Sequence, residues 1–147
     1  MRTVSVGAAA LAAVLLPGCA ARTPAIVEAG GVVTLDGVPL PKAKVCFYPR
    51  FENASEYIAQ GVTDADGRFT LTCYGQSGAC AAESIVTVAD EDIPERLTPE
   101  SARQELSAYL KTLKNRPIPP LYKTPAESPL RMTVSANLKE YRIELKR

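Results

Sequence analysis

The segment 63–73 reads TDADGRFTLTC, and it contains a tight turn followed directly by a β-strand. The DADG letters are typical of turns, because Asp side chains bond nearby backbone amides and Gly tolerates left-handed backbone angles. After the turn, apolar and polar residues alternate, which places Phe69, Leu71 and Cys73 on one face of the strand. This segment therefore predicts a half-buried strand entered through a tight turn.

The same alternation recurs along most of the chain. The letters KVCFY at 44–48 place Val45 and Phe47 on one face of a strand and the other three residues on the opposite face. Seven strand segments are predicted in this way, at 33–40 (which contains the hairpin signal Asp36-Gly37), 44–48, 57–63, 68–73, 84–88, 130–134 and 141–145. Many short strands separated by turns indicate a mainly β protein, here a seven-stranded antiparallel β-sandwich.

One connection is much longer than the others. The insertion 90–129 separates the fifth and sixth predicted strands by 40 residues, against a usual connection of about 4–6 residues. Thr98 followed by Pro99 is typical of a helix start, and leucines then recur at helical spacing up to residue 114. Prolines after this stretch predict an extended, irregular return. The helix either covers one sheet, which is the commoner arrangement, or binds a partner.

Composition excludes several classes of function. The chain has 147 residues with 17 Lys+Arg, 16 Asp+Glu and no His, which gives a formal charge of +1. Without His the chain lacks the usual general base, the usual zinc ligand and the middle member of a Ser/His/Asp triad. The near-neutral charge provides no basic surface for nucleic acid. We therefore predict no catalytic residue, no metal site, no cofactor and no nucleic-acid partner.

The first residues predict export and lipidation. Residues 4–16 carry no charge, follow the basic Arg2, and are too few to span a bilayer as a helix. The letters LLPGC at 15–19 resemble the lipobox of bacterial lipoproteins, although Pro17 departs from its pattern. We predict a signal peptide at 1–18, lipidation of Cys19, a flexible tether at 19–30 and a folded domain at 31–147. Ordinary signal cleavage nearby and an uncleaved anchor are the alternatives.

Three cysteines remain after the lipidation site. Cys73 and Cys80 are separated by six residues that include two glycines, and an exported domain would meet an oxidising compartment. We predict a disulfide between them. Cys46 is either a buried apolar side chain or a rival partner for this bond.

The turn Asp64-Ala65-Asp66-Gly67 also resembles the beginning of a calcium-binding loop. An EF-hand loop needs a bidentate Glu at its twelfth position, where this chain has Gly75. A turn without metal is therefore the better interpretation.

Some β-sandwiches of the cell surface contain an isopeptide bond between a lysine and an asparagine. Lys42, Lys44 and Asn137 are the candidates, but Asn137 lies in a predicted turn, where Asn is favoured for its backbone geometry. A turn residue is the better interpretation of Asn137.

Several segments together resemble one protein family. VTLDGVPL at 33–40, AKVCFYP at 43–49, TDADGRFTL at 63–71, PPLY at 119–122 and SPL at 128–130 are similar, in this order, to the carboxypeptidase regulatory-like lipoproteins of planctomycetes. The resemblance implies a transthyretin-like or prealbumin-like β-sandwich in the cell envelope, with no catalytic residues. Ala81, Ala82 and Ser84 and the three cysteines of the domain depart from the pattern of that family.

These observations lead to one expected role and one alternative. We expect a lipid-anchored, non-enzymatic β-sandwich that acts as an interaction or structural module, attached to the cell membrane or outer membrane and facing the periplasm or exterior. Its partners would be the membrane, through the lipid, and an envelope protein or polysaccharide. The alternative is a membrane-tethered domain that binds a small ligand or carbohydrate in an apolar pocket with a few polar groups.

Overall fold

The computed structural model describes residues 22–147, so the predicted signal peptide 1–18 and Cys19 lie outside the described residues. The mainly β character is confirmed, since the described chain forms twelve short strands and one α-helix. The strands are β1 (Ile26–Val27), β2 (Gly30–Leu35), β3 (Val38–Pro39), β4 (Ala43–Pro49), β5 (Ala59–Val62), β6 (Arg68–Thr70), β7 (Thr72–Cys73), β8 (Gln76–Ser77), β9 (Ala79–Cys80), β10 (Glu83–Asp90), β11 (Arg131–Thr133) and β12 (Glu140–Leu145). The helix is α1 (Arg103–Lys111), and 3-10 turns lie at Ala54–Tyr57, Glu95–Leu97, Glu100–Ala102 and Pro120–Tyr122.

Six strands form a long sheet in the order β11-β10-β4-β5-β7-β8, with antiparallel pairing throughout. One of its two central strands is β4, in which Val45 lies opposite Val88 on β10 and Gly61 on β5. Val45 and Phe47 are fully buried, as the alternation predicts, while Lys44, Cys46 and Tyr48 line the other face. The long sheet therefore has one face in the core and one face turned away from it.

A second sheet contains β12, β2 and β3, and β6 also pairs with β2. Here the antiparallel prediction is wrong in one place, because β12 runs parallel to β2 from Glu140 opposite Gly30 to Leu145 opposite Leu35. These two strands are far apart in the sequence, so no hairpin loop dictates an antiparallel pair. The close approach of the strands requires Gly31, where a Cβ atom would lie 1.8 Å from the Tyr141 carbonyl oxygen.

The single strand predicted at 68–73 is divided between the two sheets. Arg68–Thr70 pairs with β2 in the second sheet, whereas Thr72–Cys73 pairs with β5 in the long sheet. Leu71, which is fully buried, is the corner at which the chain crosses from one sheet to the other. The predicted face of Phe69, Leu71 and Cys73 is nevertheless buried as a unit.

A third, two-stranded sheet is formed by β1 and β9, and we call it the N-terminal ribbon. Ile26 lies opposite Cys80 and Val27 lies opposite Ala79. The ordered domain thus begins before residue 31, and the predicted tether 19–30 extends too far toward the C-terminus, because β1 begins at Ile26. The small number of large apolar residues in that stretch favours a tether, but Ile26 and Val27 pack against the core.

The two main sheets meet through their apolar faces, which is consistent with the predicted β-sandwich. The Phe47 ring on the long sheet lies 6.5 Å from the Phe69 ring and 6.0 Å from the Tyr141 ring, measured between centroids. Both partners belong to the second sheet. Separations in this range are typical of stabilising aromatic pairs.

The helix of the insertion is shorter than predicted and does not cover a sheet. Predicted over 99–114, it spans Arg103–Lys111, and within the described chain it buries none of its nine residues. Thr98 does not cap it, because the Thr98 hydroxyl donates a hydrogen bond to the Glu95 carbonyl instead. Leu110 is 46% exposed. The expectation that the helix covers a sheet is therefore wrong for α1.

The Pro-rich return at 113–129 is the part of the insertion that packs on the sandwich. Ile118 and Tyr122 join the main core cluster, and the Ser128 hydroxyl donates to the Val86 carbonyl at 2.5 Å. The Arg116 side chain, only 15% exposed, contacts Asp90 at 2.5 Å and also donates to backbone carbonyls of the segment before β4. An irregular segment is fixed here because its polar groups find partners on the sandwich.

We predict that two alanine substitutions in the insertion have effects of very different size on stability. Ile118→Ala should lower the free energy of unfolding by about 2–5 kcal/mol, because it leaves a cavity in the core. Leu110→Ala on α1 should change it by less than about 0.5 kcal/mol, because that side chain is largely solvent-exposed. Urea unfolding of the two variants and the wild type measures both effects. Equal destabilisation by the two variants would contradict this assignment of structural roles within the insertion.

Candidate functional site

The face of the long sheet turned away from the core forms an open groove, which we call the outer groove. Its floor comes from alternate residues of neighbouring strands: Cys46 on β4 lies opposite Thr87 on β10 and Gln60 on β5. The groove has a volume of about 460 Å³. Its lining is completed by Lys44, Tyr48, Ile58, Ala89, Asp90, Asp92 and Lys123. Residues of the insertion, including Lys123, thus form one wall of a surface that starts as a plain sheet face.

The charges that line the outer groove are paired with one another. Lys44 lies 2.9 Å from Asp92, and this hydrogen bond raises the pKa of the Lys44 ammonium. Lys123 lies 3.9 Å from Asp90, which Arg116 also contacts. The groove therefore offers hydrogen-bonding groups of both signs, and these pairs leave no concentrated charge to attract an ion.

Cys46 is the only thiol that the described residues place in the outer groove, and it is poorly suited to nucleophilic attack. Burial raises its pKa, so the reactive thiolate is scarce at neutral pH. Burial also raises the pKa of Tyr48, which keeps the phenol neutral. The chemistry that these groups support is hydrogen bonding to a neutral polar molecule.

Cys73 and Cys80, the predicted disulfide pair, lie together in the core and are each 1% exposed. Both are free thiols in the structure, so the disulfide stays a prediction. Burial raises the pKa of Cys80 to about 11, and the neighbouring Cys73 contributes to the rise. Cys46 lines the opposite face of the sheet, which separates it from both of them.

The turn after β5 is held by its own Asp64 side chain. The Asp64 carboxylate accepts hydrogen bonds from the backbone amides of Asp66 and Arg68, each at 2.9 Å. Asp64 is therefore occupied in holding the turn. Among residues 22–147, no three His, Cys, Asp or Glu side chains come together as metal ligands.

The candidates for an isopeptide bond have other partners. Lys42 donates to the Thr112 hydroxyl at 2.6 Å and lies over the Tyr109 ring, while Lys44 contacts Asp92. Asn137 is exposed in the turn between β11 and β12. The structure does not show either lysine bonded to Asn137.

Strand register places the functional features at two opposite ends of the sandwich. At one end, the tether end, Lys139 contacts Glu28 at 2.8 Å beside the start of β2. At the other, the insertion end, Asp90 lies opposite Ala43 and Asn115 donates to the carbonyl of Leu35, the last residue of β2. The chain that leads back toward Cys19 and the chain that carries α1 therefore leave the domain at opposite ends. Between residues 22 and 147, no helix has both the length and the apolar character to cross a bilayer.

Two features of these sites could not be identified from the sequence. Arg116 appears there as one basic residue in a proline-rich stretch, and three of its four hydrogen-bond acceptors come from distant parts of the chain. The outer groove depends on the register of three strands, although the polar face of 44–48 was a partial signal for it.

Comparison with known proteins gives no relative to guide the interpretation. No family model, no curated protein and no solved structure matches this chain. A function must therefore be argued from the residues and their arrangement alone.

Proposed function

We propose that this protein is a lipid-anchored, non-enzymatic β-sandwich of the bacterial envelope that presents its insertion to a partner. The observation that carries the proposal is that α1 buries none of its residues in the described chain and lies at the end opposite the tether. The prealbumin-like fold and the planctomycete-type lipoprotein family belong to the same proposal. They rest on the sequence segments that resemble that family.

The proposed anchor is Cys19, which would become the first residue after removal of 1–18. Diacylglycerol attached to its sulfur, with a third acyl chain on its amine, exceeds the single chain that gives only marginal binding. Ile26, the first residue of β1, follows seven positions later, so the sandwich would lie within about 25 Å of the anchor. The tether end would then face the membrane and the insertion end would face away from it.

The proposed contact surface is α1 with the segment before it. Exposed apolar side chains are found here, including Leu110 and Ile93, beside paired surface charges such as Arg103 with Glu100. Leu97, which lies between Ile93 and α1, is buried. A surface of this composition suits an envelope protein or polysaccharide better than a lipid layer, because its apolar side chains are dispersed among charges.

A small-ligand or carbohydrate-binding role is the second candidate, and the outer groove favours it. Its hydrogen-bonding groups, which include Gln60, Thr87 and Lys123, could bind the hydroxyls of a neutral sugar, with Tyr48 and Ile58 beside them. The groove is open and more polar than the pockets that usually bind small molecules. The exposed helix of the insertion therefore has the stronger support.

The lipid anchor predicts a specific labelling result. Radiolabelled palmitate should enter the wild-type protein, whereas Cys19→Ser should remain unlabelled and retain its signal segment, because the sulfur that accepts the lipid is missing. Cys46→Ser is the control and should be labelled like the wild type. Equal labelling of Cys19→Ser, or a mature amino terminus at another residue, would refute the proposed anchor.

The contact surface predicts an asymmetric cross-linking result. A photoreactive amino acid at position 110 should give a discrete adduct in intact cells, because Leu110 lies on α1 at the insertion end. Leu138 is a matched control at the tether end, since the two leucines are 46% and 49% exposed. Adducts at position 138 alone, equal adducts at both positions, or none at either would contradict the assignment.

The groove alternative predicts binding of neutral saccharides, measurable by calorimetric titration of the full chain in detergent. Lys123→Met should weaken such binding about tenfold, because it removes a charged hydrogen-bond donor from the groove. Lys111→Met changes the same residue type on α1, outside the groove, and should have no effect. An absence of heat across a panel of mono- and disaccharides would eliminate this candidate.

A further inference from the structure

Cys73 and Cys80 are brought together by a tight hairpin. Cys73 ends β7, and the chain then reverses at Tyr74 and Gly75, whose φ angles of 50° and 72° are both left-handed. The returning strand β8 pairs with β7, and the Gly78 amide donates to the Leu71 carbonyl at 2.7 Å. The six residues between the cysteines therefore reverse the chain direction and return Cys80 to the side of Cys73.

The surroundings of the two thiols favour pairing between them over pairing with Cys46. Both are 1% exposed and belong to the same core cluster, whereas Cys46 lines the outer groove. The Cys73 thiol has only one other polar contact in the described chain, to the Tyr57 carbonyl at 3.2 Å. Each thiol also shifts the pKa of the other, as expected for immediate neighbours.

The segment next to Cys80 holds the first strand of the domain. Only two residue pairs form the N-terminal ribbon, and an isolated two-stranded ribbon is only marginally stable in water. The chain approaches β1 closely just before β9, as shown by Gly78, where a Cβ atom would lie 2.0 Å from the Val27 carbonyl oxygen. The ribbon therefore depends on how firmly β9 is fixed to the long sheet.

We propose that Cys73 and Cys80 form a disulfide that fastens β9 to the long sheet and so keeps β1, the first strand after the tether, on the domain. The co-reactant would be a disulfide, either a small molecule or a protein. Each cysteine loses its proton, one S–S bond forms, and two electrons pass to the co-reactant. The S–S bond of the co-reactant breaks, and its two sulfurs leave as thiols with the two protons. In the cell, this reaction rests on the proposed export to an oxidising compartment.

The bond would form during folding and not after it. Thiol exchange needs a thiolate and access to it, and both sulfurs are buried with raised pKa values in the folded protein. Once formed, the disulfide would be shielded from reduction by the same burial. The attachment of the first strand would thus be permanent under oxidising conditions.

The test uses the full chain with Cys19→Ser, purified in detergent. This substitution removes the thiol that would carry the lipid. The reduced, denatured protein is refolded in reduced and oxidised glutathione and mapped without reduction. We expect a Cys73–Cys80 link with Cys46 free. The same result with Cys46→Ser added would show that Cys46 takes no part. Two free thiols, or a link to Cys46, would overturn the proposal.

Hydrogen exchange then tests the consequence of the bond. Protein refolded with a phosphine present throughout, so that the bond never forms, should exchange about tenfold to hundredfold faster in peptides covering 22–30 than the oxidised protein, because the loop constraint is absent. Peptides from β4 and β10 should exchange equally in the two preparations. Equal exchange at 22–30 in the reduced and the oxidised protein would overturn the fastening role, even if the bond forms.

The reduction comparison needs no cysteine variant within the fold, so it does not depend on whether Cys80→Ser folds. Both measurements are made without cells or membranes. Their failure would leave the proposed lipid anchor intact, and failure of palmitate labelling would leave the disulfide intact.

Discussion

Phe47 is the side chain through which the two main sheets meet. It is fully buried on β4, one of the two central strands of the long sheet, and its ring contacts Phe69 and Tyr141 on the second sheet. The Tyr141 hydroxyl in turn donates to the Leu138 carbonyl and accepts from the Ser135 amide, which fixes the turn before β12. One aromatic cluster thus joins the sheets and positions the strand that closes the domain.

The insertion shows how an irregular segment can be held as firmly as a strand. Arg116 connects the Pro-rich return to Asp90 and to backbone carbonyls before β4, and a buried arginine is tolerated only when its donors are satisfied in this way. Ile118 contributes apolar burial beside it. Because the return supplies the attachment, α1 can stay exposed and available for contact.

The polar features of the domain are separated in space, and this separation supports separate roles. The outer groove carries balanced charges and one thiol with a raised pKa, an arrangement that favours hydrogen bonding over nucleophilic attack. The pair Cys73 and Cys80 lies on the core side, next to the strand that leads toward the tether. The helix lies at the opposite end. The anchoring, structural and contact roles that we propose therefore fall on different parts of one small domain.

The sequence by itself determined the mainly β class, the hairpin at Asp36 and the buried faces of the strands, because these depend on local alternation and turn chemistry. It also predicted the turn at Asp64, because the Asp64 side chain bonds backbone amides only two and four residues further along the chain. The parallel pairing of β12 with β2, the corner at Leu71 and the anchoring by Arg116 were decided only by tertiary structure. Each depends on which distant segments become neighbours, and period-two patterning contains no information on that choice.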